Sequence, residues 1–213
     1  KAKSMAHHYD ATFSLITLSL KSIVERIEPI LIEFGCRFEN EIHQLVNTDG
    51  TPGVETAKTV SVNSLAEVPM VAARFWGVSL YCVSEDAGEI YIRIFKAGQV
   101  GFHVQYNESS SAFRQRIEDS RLAERLTGFL LRMAATLSAK ACVYDMESVD
   151  GFVDASPETI RALLQSGRFA SERDRGLLLL SADSLPFEEA SALAPHHGSV
   201  KLSTTGYIVM NFL

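Results

Sequence analysis

The sequence predicts an α+β fold: a mixed, mainly antiparallel sheet with a central three-strand meander and helices packed against it. Three observations carry that expectation. Residues 75–83, 89–95 and 99–106 are runs of aromatic and β-branched residues, the types a pleated, half-buried surface selects. Short glycine-bearing links, Asp86-Ala87-Gly88 and Lys96-Ala97-Gly98, separate them, as between antiparallel neighbours. Stretches of helical period lie on both sides of the meander.

From the N-terminus, residues 9–18 read as a strand. Leu20, Ile23, Val24, Ile27, Ile30, Leu31 and Phe34 then follow helical spacing within an arc of about 120°, a core-facing stripe. Pro29 interrupts that stripe and predicts a kink or break, because it lacks an N–H and crowds the preceding turn. Gly35 is placed to cap the helix, and residues 36–46 read as a second strand. Residues 47–58 are polar with glycine and proline, the strongest loop signal in the chain. Residues 59–74 are ambiguous: Val60 and Val62 alternate like a strand, and 64–73 suit a short helix interrupted by Pro69.

Beyond the meander, Asn107-Glu108-Ser109-Ser110-Ser111 reads as a turn or helix entry. Leu122, Leu126, Phe129, Leu130, Met133 and Leu137 share one helical face, while Phe113 and Ile117 project to the opposite side. A break at Asp119-Ser120, both good N-cap residues, reconciles the two. Residues 141–146 read as a buried strand. Ser156-Pro157-Glu158 starts a short helix with an N-cap serine, proline at the first helical position and an acid in the first turn. Residues 176–182 hold four consecutive leucines and read as a strand buried on both faces. Residues 186–193 suit a short helix. The runs 200–203 and 207–212 flank Thr204-Thr205-Gly206 as a hairpin or a bulged strand.

The 213 residues fit one α+β domain spanning 1–213, with 47–60 the candidate subdomain junction. The alternative is two ferredoxin-like halves joined there. A formal charge of −6 argues against a nucleic-acid partner, which calls for a basic stripe to neutralise phosphates. The most apolar window, 122–137, carries Arg125 and Arg132 and is too short to span a bilayer, so no membrane association is expected. The chain reads as cytoplasmic. Cys36, Cys82 and Cys142 are widely spaced in apolar contexts, which suits reduced, buried thiols.

No reaction motif stands out. Gly-x-Ser-x-Gly, the phosphate loop and Gly-x-Gly-x-x-Gly are all absent from the sequence. The pairs His7-His8 and His196-His197 are poor metal ligands, because neighbours in an extended chain point apart. Neither a metal nor a cofactor is expected. His103 and Gln105 fall on one face of a meander strand, opposite Phe102, Val104 and Tyr106, and so look outward. Asp145, Glu147, Asp150 and Asp154 form the densest acidic stretch, running from a buried strand into a loop.

These features favour a non-catalytic protein-binding module. His103, Gln105 and the four acids would contact a protein with a basic surface. Small acidic α+β chains without reaction motifs are common among bacterial immunity proteins, which neutralise toxin domains by binding them. That analogy is one of class, carried by no motif, and it makes toxin neutralisation the particular case expected. The alternative is a small-molecule hydrolase or transferase using His103 with carboxylates that the fold brings near.

Overall fold

The computed structural model describes residues 8–45, 56–73, 75–97, 99–146, 156–166, 175–195 and 198–213. The chain is α+β, as expected. Ten strands form one sheet: β1 (His8–Phe13), β2 (Cys36–Leu45), β3 (Thr56–Ser61), β4 (Gly77–Ser84), β5 (Gly88–Ala97), β6 (Gly101–Ser109), β7 (Ala141–Met146), β8 (Leu177–Ser181), β9 (Ser199–Leu202) and β10 (Tyr207–Asn211). Their order is β3-β2-β4-β5-β6-β1-β7-β8-β10-β9. Every pairing among these strands is antiparallel, so the sheet lies at the antiparallel end of the expectation. β4, β5 and β6 are the predicted meander, and β9 and β10 form a hairpin, one of the two arrangements expected there.

One face of the sheet is covered along most of its width. α1 (Leu20–Glu33) and α4 (Ser120–Leu137) lie there, with α3 (Ser110–Glu118) beside them. Ile23, Val24 and Ile27 of α1 and Leu126, Phe129, Leu130 and Met133 of α4 join Val78, Leu80, Ile90, Ile92, Ile94 and Val104 of the meander in one apolar cluster. The predicted break between α3 and α4 falls where the sequence put it, with the Asp119 side chain accepting from Arg121 N–H.

α1 differs from expectation at Pro29. The helix continues through it to Glu33. Glu25 and Pro29 are both exposed, so the carbonyl that Pro29 leaves without a helical donor is on the solvent side, where water can take its place. Gly35 follows in the left-handed region at φ 66°, and its N–H reaches Ile32 O, as a C-terminal glycine should. The ambiguous stretch after β3 resolves into a 3-10 turn (Leu65–Glu67) and α2 (Val68–Ala72), with Pro69 in the first helical turn. The loop expected at 47–58 lies largely outside the described residues.

A second, smaller cluster fills the other face at one end of the sheet. α5 (Pro157–Gln165) and α6 (Phe187–Leu193) contribute Ile160, Leu164 and Ala190, which meet Ala141, Val143, Leu178, Leu180, Ile208 and Met210. β8 is therefore buried on both sides: Leu177 and Leu179 belong to the large cluster, Leu178 and Leu180 to the small one. Among the described residues, no helix is long and apolar enough to cross a membrane.

Candidate functional site: the outward face of the meander

The strands β2, β4, β5 and β6 present a second face that the described helices do not cover. Along β5 the alternation is strict: Ile90, Ile92 and Ile94 are fully buried, while Tyr91, Arg93 and Phe95 between them stay half-exposed. A sheet with one wet face usually carries threonine, lysine or glutamate there. Here it carries rings. His43, Tyr81 and Tyr91 form one group on β2, β4 and β5, with ring centroids 5.4 to 6.3 Å apart. Trp76, Phe95 and His103 form a second: Trp76 stacks on Phe95 at 4.9 Å and His103 tilts against Phe95 at 5.3 Å.

Register explains the two groups. Tyr81 sits opposite Tyr91, and Phe95 opposite both Gly77 and His103. Gly77 has to be glycine for this packing, since a Cβ there would come within 2.6 Å of Ile94 O and Phe95 Cβ. Arg93 stands between the two groups on β5. Glu41 bonds His43 Nε2 at 2.8 Å, and Tyr81 donates to Glu89 at 3.2 Å. The face is aromatic and mixed in charge.

His103 and Gln105 project outward here, as predicted, and Gln105 donates to Thr12 Oγ1 on β1. Burial lowers the His103 imidazole below its ordinary range. No carboxylate among the described residues hydrogen-bonds to it. Asp145 lies on this same face two strands further on, because β1 runs between β6 and β7: Asp10 faces Asn107 on one side and Asp145 on the other. Asp145 is buried, with only 6% of its surface exposed. A buried carboxylate cannot be part of a solvated acidic surface as it stands. Glu147, Asp150 and Asp154 lie outside the described residues, as do His7, His196 and His197. Across β6, β1 and β7 the face is thus polar but closed, with Asp10, Thr12 and Asn107 all buried and Asn107 Nδ2 donating to Asp10.

Sequence reasoning missed the charged group at the centre of the core. Asn107 and Glu108 do not form a turn; they continue β6, and Glu108 is fully buried on the helix-covered face. Its carboxylate accepts from Arg116 Nη2 at 2.7 Å and Arg116 Nε at 2.9 Å, from the Tyr144 hydroxyl at 2.5 Å and from the Tyr106 hydroxyl. Arg116 Nη1 reaches on to Leu122 O, tying α3 to the start of α4. Burial, and then the Glu108 charge, push both tyrosine hydroxyls well above their usual range. Burial pulls the Arg116 guanidinium down, but its bonds to Glu108 outweigh that and hold it charged. A buried pair with its remaining donors and acceptors filled in this way is a structural joint between β6, β7 and α3. The strand parity of Phe102, Val104, Tyr106 and Glu108 was the available signal.

The three thiols are buried in the apolar interior. Desolvation pushes Cys36 up to about 11 and Cys82 up to about 12. Such thiols hold almost no thiolate near neutral pH.

No family model matches the chain, and no curated protein matches it. Among solved structures, one similar chain comes from the crystal structure of the toxic C-terminal tip of CdiA from Pseudomonas aeruginosa in complex with immune protein. The likeness covers 67% of this chain and 88% of that one, at 10% identity and a TM-score of 0.39. At that level it carries no functional argument.

Proposed function

We propose that this protein is a non-catalytic binding module that engages another protein through the outward face of β4, β5 and β6. One observation carries the reading: half-exposed Trp76, Tyr91, Phe95 and His103 stand where a solvated sheet would be polar. Tryptophan and tyrosine are the residues that protein interfaces concentrate, because each supplies a large rigid area with a polar handle. Toxin neutralisation is the narrower reading. It rests on the class of the chain, a small acidic α+β protein without a reaction motif. A basic partner surface would suit the net charge of −6 and the acids at 147, 150 and 154.

The test is capture of a partner by the wild-type protein, followed by kinetics with a Tyr91→Ser, Phe95→Ser variant. Removing two central aromatic anchors should weaken the complex about 100-fold or more, mostly through faster dissociation. An affinity unchanged in a variant of native stability would contradict the reading. Neutralising Asp145, Glu147, Asp150 and Asp154 tests the basic-partner part separately, since loss of rim charge slows association and removes its salt dependence. Asp145 is buried, so the three-residue variant that spares it is the cleaner comparison.

A further inference from the structure

A second surface, separate from the aromatic face, lies at the β3 edge of the sheet. β2 is ten residues long, but β3 pairs with it only from Glu41 to Leu45. The last bond of that ladder runs from Val62 N–H to Asn40 O, at 2.9 Å. From Cys36 to Phe38, β2 is paired to β4 on one side, and no described strand lies on the other. Alternate N–H and C=O groups of these residues therefore point away from the sheet, a template for another extended chain.

The neighbouring chain cannot extend to fill that edge. It turns away at Asn63, whose N–H and Nδ2 both donate to Glu67, at 3.0 and 2.9 Å. The Asn63 backbone N–H, with its side chain, holds the Glu67 carboxyl below its usual range. Asn40, in the left-handed region at φ 55°, marks the shift of register between β2 and β4. The result is a groove of about 470 Å³ along the open edge, between α1 and the 3-10 turn. Leu31, Phe38 and Leu65 give it an apolar floor and Glu28 lies on its α1 side. Clefts of this size accept ligands of a few residues. Glu28 is exposed and has no ion-pair partner among the described residues.

We propose that this groove binds an extended peptide segment of a partner protein by strand addition to Cys36–Phe38, with a large apolar side chain on the groove floor and a basic side chain beside Glu28. Main-chain pairing would supply affinity, and the alternate side chains specificity. Both inward-pointing side chains must be two residues apart, because a strand repeats every second residue. Amides and carbonyls left open along a strand edge are matched in spacing by another peptide backbone. The free carboxylate selects a basic residue within it.

The probe is a capped hexapeptide, threonine-lysine-threonine-phenylalanine-threonine-valine, added to the full chain. Amide exchange at the outward-pointing positions of 36–38 should slow, and resonances of Leu31, Phe38 and Leu65 should shift with saturation. Replacing the threonine between lysine and phenylalanine by proline removes a main-chain donor and should abolish binding. Glu28→Lys, at an exposed position that leaves the fold intact, should weaken the lysine peptide about threefold or more and favour its glutamate counterpart. Four outcomes would overturn the assignment: no binding at millimolar peptide, equal binding of the proline version, a footprint on Trp76 and Phe95 instead, or self-association of the chain through this edge.

Discussion

β5 and β8 belong to one sheet and differ in what lies over their second face. In β8, Leu177 to Leu180 are all fully buried, because α4 and its neighbours cover one side and α5 and α6 the other. In β5, Ile90, Ile92 and Ile94 are equally buried, yet Tyr91, Arg93 and Phe95 remain half-exposed. β8 is a wall inside the molecule. β5 is a wall with one face available, and the side chains on that face are of the kind usually found under something. The protein supplies its own cover for β7, β8 and β10. Over the meander, the proposed partner would take that role.

The largest expected effect breaks the covered face. Glu108→Ala would leave Arg116 buried without its carboxylate and strand two tyrosine hydroxyls. Loss of stability by about 3–5 kcal/mol is expected in urea unfolding. The paired replacement Glu108→Leu with Arg116→Met should recover most of it, since apolar isosteres need no partner. If the single variant unfolds at the wild-type midpoint, the buried joint has been misplaced.

A matched pair of substitutions then compares the strands directly. Leu178→Ala removes a side chain packed under α5 and α6 and should cost about 2–5 kcal/mol. Arg93→Ala on β5 removes a half-exposed side chain and should change stability by about 1 kcal/mol or less. Equal losses would mean that the outward face of β5 is as closed as that of β8.

A smaller effect comes from His103. Burial lowers its imidazole below the ordinary value of 6.5, so the folded chain takes up this proton less readily than the unfolded chain does. Its contribution to stability is complete above pH 6.5 and is lost as pH falls through the lowered folded value. The difference between wild type and His103→Gln in urea unfolding should be constant above pH 6.5 and change below it. A flat difference across that range would place the ring in open solvent.

Both kinds of strand are legible in the sequence. Four adjacent leucines can only be buried on two sides, and the Ile90-Tyr91-Ile92-Arg93-Ile94 alternation announces one apolar face. The α3–α4 break was readable because Asp119 is a strong N-cap and the stripe changes side there. His103 and Gln105 were assigned to the outward face by strand parity alone. Glu108 was missed, although the parity of Phe102, Val104 and Tyr106 runs on to it. A carboxylate between Asn107 and three serines looks like solvent-facing sequence, and its partners Arg116 and Tyr144 arrive through α3 and β7. The burial of Asp145 was hidden for the same reason, as was the groove beside β2. It exists because β3 is shorter than its neighbour and turns away at Asn63, a mismatch that no single segment records.

Trp76 is the only tryptophan and stands on the face in question, stacked on Phe95. Acrylamide quenching of its fluorescence, with and without the captured partner, therefore reads the central claim directly. Ready quenching is expected in the free protein, and a blue-shifted, strongly protected signal in the complex that reverts with the Tyr91→Ser, Phe95→Ser variant. Identical quenching of Trp76 in the free protein and in a saturated complex would contradict it.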